Sequence, residues 1–110
     1  MDYAFERRDS AVVVSVRGRV DESSWVAFGV GLSEAIEKAR AAGLDRVVIN
    51  LTDLEYMSSR GLRVLTVAKR EGDGAGATVS LASPNEVMRE ILAISRYDKL
   101  FEITETVEAN

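Results

Sequence analysis

The serine pair Ser58 and Ser59 is the part of this sequence with the clearest chemical potential. It stands between an apolar segment that predicts a strand, Arg46–Leu51, and a segment that predicts a helix. The start of a helix presents unpaired N–H groups and partial positive charge, which favour an anion. Either serine could simply cap the helix. The alternative is a phosphorylation site, where a phosphate would add about −1.5 to −2 charges to an exposed surface.

The chain of 110 residues contains no histidine and no cysteine, which removes the usual side chains of several kinds of catalysis. Ser-His-Asp and Cys-His sites, zinc held by His or Cys, and disulfide bonds are all excluded. A serine nucleophile would need a lysine base, and Lys69 lies several turns along the predicted helix from Ser59. The composition therefore favours a binding protein without a cofactor or metal over a small hydrolase.

Two other motifs are weaker candidates for chemistry. Gly72, Gly74 and Gly76 share the spacing of a phosphate-binding loop, but they follow a predicted helix and precede a strand, which is the reverse of the required order. We therefore predict that this segment is a flexible loop. The carboxylates at 21–22 and 53–55 lack a spacing that makes them converge on a substrate or a metal, so we expect solvated charges there.

The charge balance excludes two classes of partner. The chain has 18 acidic and 14 basic residues, a net charge of −4, and no block of basic residues. Binding to nucleic acid or to an anionic membrane surface needs such a block. No apolar run reaches the roughly 18 residues of a membrane-spanning helix, and the N-terminus lacks the apolar core of a secretory signal. We expect a cytoplasmic protein with no nucleic-acid partner and no membrane insertion.

Alternating strands and helices position the serine pair. The predicted order is β-β-α-β-α-β-α-β, which indicates an α/β fold. Its sheet would be mixed but mostly parallel, with an antiparallel N-terminal edge and helices packed on it. The length and the 46% hydrophobic content fit a single domain over residues 1–110, in which we expect residues 105–110 to be a frayed tail.

The bounds of these elements follow from hydrophobic spacing and from turn and capping residues. In chain order they are strands at 3–5 and 11–18 joined by a turn at 8–10, a helix at 23–42, a strand at 46–51, a loop at 52–57, a helix from 58 to the loop at 72–76, a strand at 77–81, a helix from 83, a turn at 96–99 and an edge strand at 101–104. The expected apolar helix faces are Trp25, Phe28, Leu32, Ile36 and Ala39; Leu62, Leu65 and Ala68; and Val87, Met88, Ile91 and Ile94. Asp21 or Ser23 is expected to cap the first helix, and Ser83 the third, with Pro84 as its first residue.

The segment around the serine pair resembles the STAS family, which includes the small anti-sigma factor antagonists of bacteria. The family pattern is a hydrophobic central strand, an aromatic-hydrophobic pair, and Asp-Ser-Ser/Thr-Gly-Leu opening a helix. Here Tyr56–Met57 match the pair, Ser59 matches the phosphorylated serine, and Gly61–Leu62 match Gly-Leu. Gly18–Asp21 and Ala82–Pro84 are similar to the family's segments after the second strand and before the third helix. The resemblance therefore covers most of the chain.

Two positions depart from the family pattern. Ser58 stands where the family has an acidic residue, and Arg60 follows Ser59 where the family has Ser or Thr. Loss of the acid would change which kinase recognises the site, and Ser58 is the second candidate for modification. Arg60 could pair with a phosphate on Ser59 or point into solvent. Both departures bear on the regulatory partner more than on the fold.

The resemblance implies a phosphorylation-switched binding module that is not an enzyme. The unphosphorylated chain would dock on an anti-sigma factor that is also a serine kinase, and so free the sigma factor. The kinase would transfer a phosphoryl group from its own ATP to Ser59 and release the chain, and a serine phosphatase would reset it. We expect a monomer or a weak dimer. The implied partner-binding residues are Asp21, Ser58, Ser59, Arg60, Gly61, Leu62 and Arg63.

The main alternative is an accessory role in membrane transport. A free-standing STAS domain is also similar to an accessory subunit of a membrane transport complex, which docks on the ATPase of that complex through the same loop. In that role the loop serine is not phosphorylated. Asp21 also has an alternative interpretation, as a cap or turn residue without contact to a partner.

Overall fold

A computed structural model describes residues 1–107, and it shows the predicted order of elements. The elements are β1 (Asp2–Arg8), β2 (Ala11–Val20), α1 (Trp25–Ala41), β3 (Arg46–Met57), α2 (Ser59–Ala75), β4 (Thr78–Ala82), α3 (Glu86–Ile94) and β5 (Ile103–Thr104), with a 3₁₀ turn at Tyr97–Lys99. The predicted α/β fold with the order β-β-α-β-α-β-α-β is confirmed.

The five strands form one mixed sheet in the order β1-β2-β3-β4-β5. β1 pairs with β2 antiparallel, as the predicted hairpin requires, and the remaining neighbours are parallel. β3 is the central strand. Its residues Val47, Val48 and Ile49 are all at most 1% exposed, which confirms that this apolar run is covered on both faces of the sheet.

The main hydrophobic core lies between one face of the sheet and the three helices. Alternate residues of β2, such as Val12 and Val14, meet Phe28 and Leu32 of α1 there. The other face carries a smaller cluster of Ala11, Val13, Val48 and Ala82, against which Val107 packs. The two faces together fix the orientation of β3 and of the helix that follows it.

The predicted tail of residues 105–110 is wrong in its first part. The Ser83 hydroxyl donates to the Glu105 carbonyl at 3.1 Å, and the Arg89 guanidinium lies 3.1 Å from the Glu105 carboxylate. Together with the packing of Val107, these contacts hold residues 105–107 against the fold. Residues 108–110 lie outside the described part of the chain.

The predicted loop at 52–57 is also wrong, because β3 continues to Met57. Leu51, Leu54 and Met57 are buried, but their spacing of three hides the strand from an alternation pattern. Two register shifts between β2 and β3 accommodate this spacing. Gly18, predicted to end β2, instead lies within it beside one shift, with a φ of +101° that favours glycine.

The predicted glycine loop at 72–76 belongs largely to α2, which ends at Ala75. Gly72 is buried where an added Cβ would lie 2.6 Å from the Ala77 carbonyl oxygen. Gly76 adopts the left-handed conformation that closes a helix. These two glycines therefore serve helix packing and helix termination.

The third helix begins later than predicted. Asn85 is its N-cap and accepts from the Met88 N–H at 2.8 Å, whereas Ser83 has a φ of +58° outside the helix. The predicted apolar face is wrong in part: Val87 and Ile94 are exposed, and the buried positions are Met88 and Leu92. The last strand follows Phe101, which is buried in the main core.

Candidate functional site

The parallel pairing of β2 and β3 brings the predicted site residues to one edge of the sheet. Val20 and Met57 are partners at the carboxyl ends of the two strands. The next N–H, that of Ser58, donates to the Val20 carbonyl at 2.8 Å. Asp21 and Ser58 therefore leave the sheet side by side, although they are far apart in the sequence.

The two serines of the pair have different roles. Ser58 has an extended backbone and is the N-cap of α2, where its hydroxyl accepts from the Gly61 N–H at 3.4 Å. Ser59 is the first residue of the helix and is exposed. Within residues 1–107 its hydroxyl has no hydrogen-bond partner. The capping role thus falls to Ser58, and the hydroxyl of Ser59 is accessible to another protein.

Gly61 and Leu62 anchor the start of α2 against the fold. A Cβ at Gly61 would lie 2.3 Å from Met57 Cγ and 2.7 Å from Val20 Cγ1, so only glycine fits there without displacing its neighbours. Leu62 is partly buried and packs on the main core. Gly61 therefore acts by close packing, because it offers no surface to a partner.

Arg60 is engaged within the chain. Its Nε lies 3.1 Å from Glu22 Oε1, and its guanidinium carbon lies 5.1 Å from the centre of the Trp25 ring. Of the two alternatives left open for Arg60, a side chain free in solvent does not fit this geometry: the guanidinium is exposed but engaged. Arg63, one turn further along α2, is exposed and forms no ion pair within the described residues.

Asp21 organises the turn that leads into α1. Its carboxylate accepts from the Ser23 N–H at 3.0 Å and from the Ser23 hydroxyl at 2.8 Å, and it lies 3.2 Å from the Ser24 hydroxyl oxygen. The hydrogen bonds from Ser23, more than any other contact, hold the pKa of Asp21 below its ordinary value of 3.8. This carboxylate therefore remains charged over most of the pH range.

The sequence predicted Asp21 or Ser23 as the N-cap of α1, and this prediction is wrong. The cap position belongs to Ser24, whose side chain makes no capping bond. The Ser24 hydroxyl instead donates to the Arg19 carbonyl at 2.6 Å and accepts from the Asp21 N–H at 3.0 Å. Asp21 is therefore a turn residue and not the cap, because its carbonyl accepts from the Trp25 N–H at 3.0 Å.

Two aromatic residues near the serine pair, Trp25 and Tyr56, were not among the predicted site residues. The Arg19 guanidinium carbon lies 4.6 Å from the centre of the Tyr56 ring, and the Arg60 guanidinium lies over the ring of Trp25. Both rings are only partly buried. The sequence contained a signal for Tyr56. An aromatic residue at the end of a strand, just before a helix begins, lies at the edge of the sheet where the site is. The Trp25–Arg60 contact depends on the packing of two helices and left no local signal.

Two further features concern metal binding and membrane spanning. No group of three or more Asp, Glu, His or Cys side chains in the described part of the chain is arranged to hold a metal ion. Across the same residues, no helix is both long and apolar enough to cross a membrane. The arrangement offers an exposed hydroxyl at a helix start, surrounded by arginines, carboxylates and two aromatic rings.

Comparison with known sequences finds relatives along almost the whole chain. The family described as "Mlab, STAS domain" matches residues 3–104. A STAS-domain containing protein of Pseudomonas aeruginosa is 30% identical over 93 residues, which is 84% of this chain and 87% of that protein. BtrV of Bordetella bronchiseptica, named as an anti-sigma factor antagonist, is 30% identical over 110 residues, which is 99% of this chain and 90% of BtrV.

Solved structures show the same fold. A crystal structure named as that of an anti-sigma factor antagonist from Thermotoga maritima has a TM-score of 0.81 and 19% identity, and the match covers 96% of this chain and 87% of the other. The antagonist SpoIIAA in its unphosphorylated form has a TM-score of 0.75 and 20% identity, covering 97% and 90%. The match of residues 3–104 and the relatives at 30% identity confirm the resemblance found in the sequence: the chain belongs to the STAS domain family.

Proposed function

We propose that this chain is a cytoplasmic anti-sigma factor antagonist, a non-enzymatic module that docks on an anti-sigma factor kinase and is released when Ser59 is phosphorylated. The observation that carries the proposal is the free, exposed hydroxyl of Ser59 in the first turn of α2. Relatives named as antagonists, BtrV among them, support the same role.

The surroundings of Ser59 suit a hydroxyl that is modified by another protein. Ser58 takes over the capping bond, so phosphorylation of Ser59 breaks no hydrogen bond of the fold. A phosphate in the first turn also lies at the positive end of α2, which stabilises the helix. Phosphorylation therefore leaves the fold intact and changes only the surface that a partner meets.

The arginine that follows Ser59 in the sequence already has other partners, which compete with the added charge. Arg60 already contacts Glu22 and the ring of Trp25, so a phosphate on Ser59 must compete with both contacts to recruit it. The charge that Arg60 does not pair faces the partner. In a partly desolvated interface, an unpaired dianion that meets carboxylates or apolar surface weakens association, which is the release step of the proposed switch.

The docking surface proposed for the partner is the sheet edge that contains Asp21 and the start of α2. This surface contains Asp21, Ser58, Ser59, Arg60 and Arg63. Gly61 and Leu62 lie beneath it and hold the start of α2 in position. The partner supplies the ATP, and a separate serine phosphatase removes the phosphate. This chain needs no cofactor for the cycle.

Mapping of the phosphate tests the proposal. The chain is incubated with the anti-sigma factor kinase of its source bacterium and ATP, and the product is analysed by mass spectrometry. We expect one phosphate on Ser59, lost in Ser59→Ala and retained in Ser58→Ala and in Ser23→Ala, whose serine is also exposed. A phosphate on Ser58 or Ser23, or kinase binding that is unchanged in Ser59→Asp, would contradict it.

One observation favours a second candidate function. The position before Ser59 is the neutral Ser58, engaged in capping, where the pattern of phosphorylated antagonists has an acid. The same edge of the sheet would then dock on the ATPase of a membrane transport complex without phosphorylation. Affinity purification of the tagged chain from its native cell separates the two: recovery of a transporter ATPase supports this second role, and recovery of a sigma-factor regulator supports the first.

A further inference from the structure

An apolar groove of about 1060 Å³ runs between α1 and α2 on their solvent-facing side. Three valines in its lining are more than half exposed: Val26 at 59%, Val30 at 52% and Val67 at 56%. Exposed valines are common one at a time, but here three of them line one groove. Such a surface indicates a site that another protein surface covers.

The two helices that form the groove run parallel to each other. Trp25 lies beside Arg60 at one end, and the Ser33 hydroxyl donates to Glu71 at 2.9 Å further along. Both N-termini are therefore at the same end. Charges follow this polarity: the lining has Arg60 and Arg63 near the N-termini, and Glu34, Glu37 and Glu71 towards the C-termini.

The groove-facing residues of α2 have a symmetric arrangement. Arg63, Val67 and Glu71 are spaced by four residues, so a basic and an acidic side chain flank a central valine about 6 Å to either side along the helix. Arg63 has no ion pair in the described part of the chain. Among residues 1–107, Glu71 accepts the neutral Ser33 hydroxyl and pairs with no cation, so both charges are available to a second molecule.

We propose that this groove is the interface of a homodimer in which two copies pack antiparallel about a two-fold axis near Val67. An antiparallel arrangement places α2 against α2 with its direction reversed. Val67 then packs near Val67 of the second copy, and Arg63 of each copy meets Glu71 of the other. One surface thereby complements itself, as an isologous interface requires.

Two physical arguments favour this occupant over an unrelated amphipathic helix. The symmetry forms the Arg63–Glu71 pair twice from a single surface, and the reversed direction of the two copies opposes the dipoles of their α2 helices. A parallel arrangement of the copies would bring the acidic ends together, and like charges across an interface disfavour it. The charge pattern therefore selects the antiparallel dimer.

Analytical ultracentrifugation of the full chain from micromolar to millimolar concentration tests the proposal. We expect a monomer–dimer equilibrium that weakens with added salt, because the Arg63–Glu71 pairs are exposed to screening. Arg63→Glu and Glu71→Arg should each raise the dimer dissociation constant more than tenfold. Arg70→Glu, the same charge change on α2 outside the groove lining, should leave it within twofold. Circular dichroism confirms that each variant is folded.

Mixing the two charge-reversed variants gives the sharper result. Arg63→Glu has only acids at positions 63 and 71, and Glu71→Arg has only bases there, so each repels its own copy. A heterodimer of the two restores both pairs, and we expect it to form with an affinity near that of the unmodified chain. A monomer at every concentration, or a dimer indifferent to these variants, overturns the proposal; binding of a foreign helix in the groove of a monomeric chain does so as well.

The dimer interface shares Arg63 with the docking surface of the proposed function, but it does not include the serine that is modified. Ser59 does not line the groove, so Ser59→Ala should dimerise like the unmodified chain. Failure of the kinase to modify Ser59 would therefore leave the dimer prediction unaffected.

Discussion

The chain contains two serine pairs, and they meet the same structural task in different ways. Ser23–Ser24 precedes α1, and Ser58–Ser59 begins α2. In the first pair both hydroxyls are bound within the chain, Ser23 to the Asp21 carboxylate and Ser24 to the Arg19 carbonyl. In the second pair, the described residues provide a hydrogen bond to the Ser58 hydroxyl and none to that of Ser59.

The difference teaches what makes a helix-start serine available. Exposure alone does not, because Ser23 is exposed and still donates to Asp21 at 2.8 Å. At α2 the position before the cap is Met57, which is buried and offers no acceptor to a neighbouring hydroxyl. The free hydroxyl of Ser59 thus results from an apolar strand end on one side and an adjacent serine that takes the capping bond.

The largest expected effect comes from disturbing the anchor under the second pair. Gly61→Ala would place a Cβ against Met57 and Val20, so we expect it to reduce the free energy of unfolding by about 2–3 kcal/mol through overpacking. Urea denaturation measures this loss. Gly74→Ala is the matched control, since open space surrounds Gly74. Because alanine favours a helix over glycine, this substitution should raise the free energy of unfolding by up to about 1 kcal/mol. Equal effects of the two substitutions would contradict the anchoring role of Gly61.

The next effect tests whether the first pair is structural. Ser24 is 8% exposed, and Ser24→Ala would remove the donor to the Arg19 carbonyl and the acceptor of the Asp21 N–H. Leaving these groups without partners should lower the free energy of unfolding by about 1–3 kcal/mol. Thermal and urea denaturation provide the measurement. A loss below about 0.5 kcal/mol would show that the turn does not depend on this hydroxyl.

A smaller effect separates the two members of the second pair. Ser58→Ala removes the N-cap of α2 and should lower the free energy of unfolding by about 0.5–1 kcal/mol. Ser59→Ala removes no hydrogen bond and should stay within about 0.5 kcal/mol of the unmodified chain. Urea denaturation of both variants in parallel is the test. A larger loss for Ser59→Ala than for Ser58→Ala would show that Ser58 is not the N-cap.

The smallest effect is a pH dependence at the first pair. Because the folded pKa of Asp21 is lowered, its contribution to stability is complete above the ordinary value of 3.8 and is lost as the pH falls through the lowered pKa. Asp21→Asn should therefore flatten the acid side of the stability curve. Urea midpoints measured across this pH range check the prediction, which an unchanged acid slope in the variant would rule out.

Much of the fold is predictable because local signals agree with the final packing. The β-branched run Val12–Val14 and the apolar run Val47–Ile49 are strands in both the prediction and the structure. The glycine-rich segment at 72–76 misled the prediction, since burial of Gly72 against the segment before β4 depends on residues outside the local window. The end of β3 was missed because register shifts break the alternation on which the prediction relied.

The candidate site was predictable in position but not in the division of roles. The strand and helix signals on either side placed the serine pair at a helix start, and the structure has it there. Assignment of the cap to Ser58 depends on the bond between its N–H and Val20, which joins segments far apart in sequence. The contacts of Arg60 with Glu22 and Trp25 likewise depend on how α1 packs beside α2.

The most direct test of the central claim compares the affinity of two forms of the chain for its anti-sigma factor kinase. Titration calorimetry with the unmodified chain and with the chain phosphorylated on Ser59 gives both dissociation constants. We predict that the phosphate weakens binding by roughly 30–150-fold, which corresponds to about 2–3 kcal/mol. Equal affinities of the two forms would contradict the account.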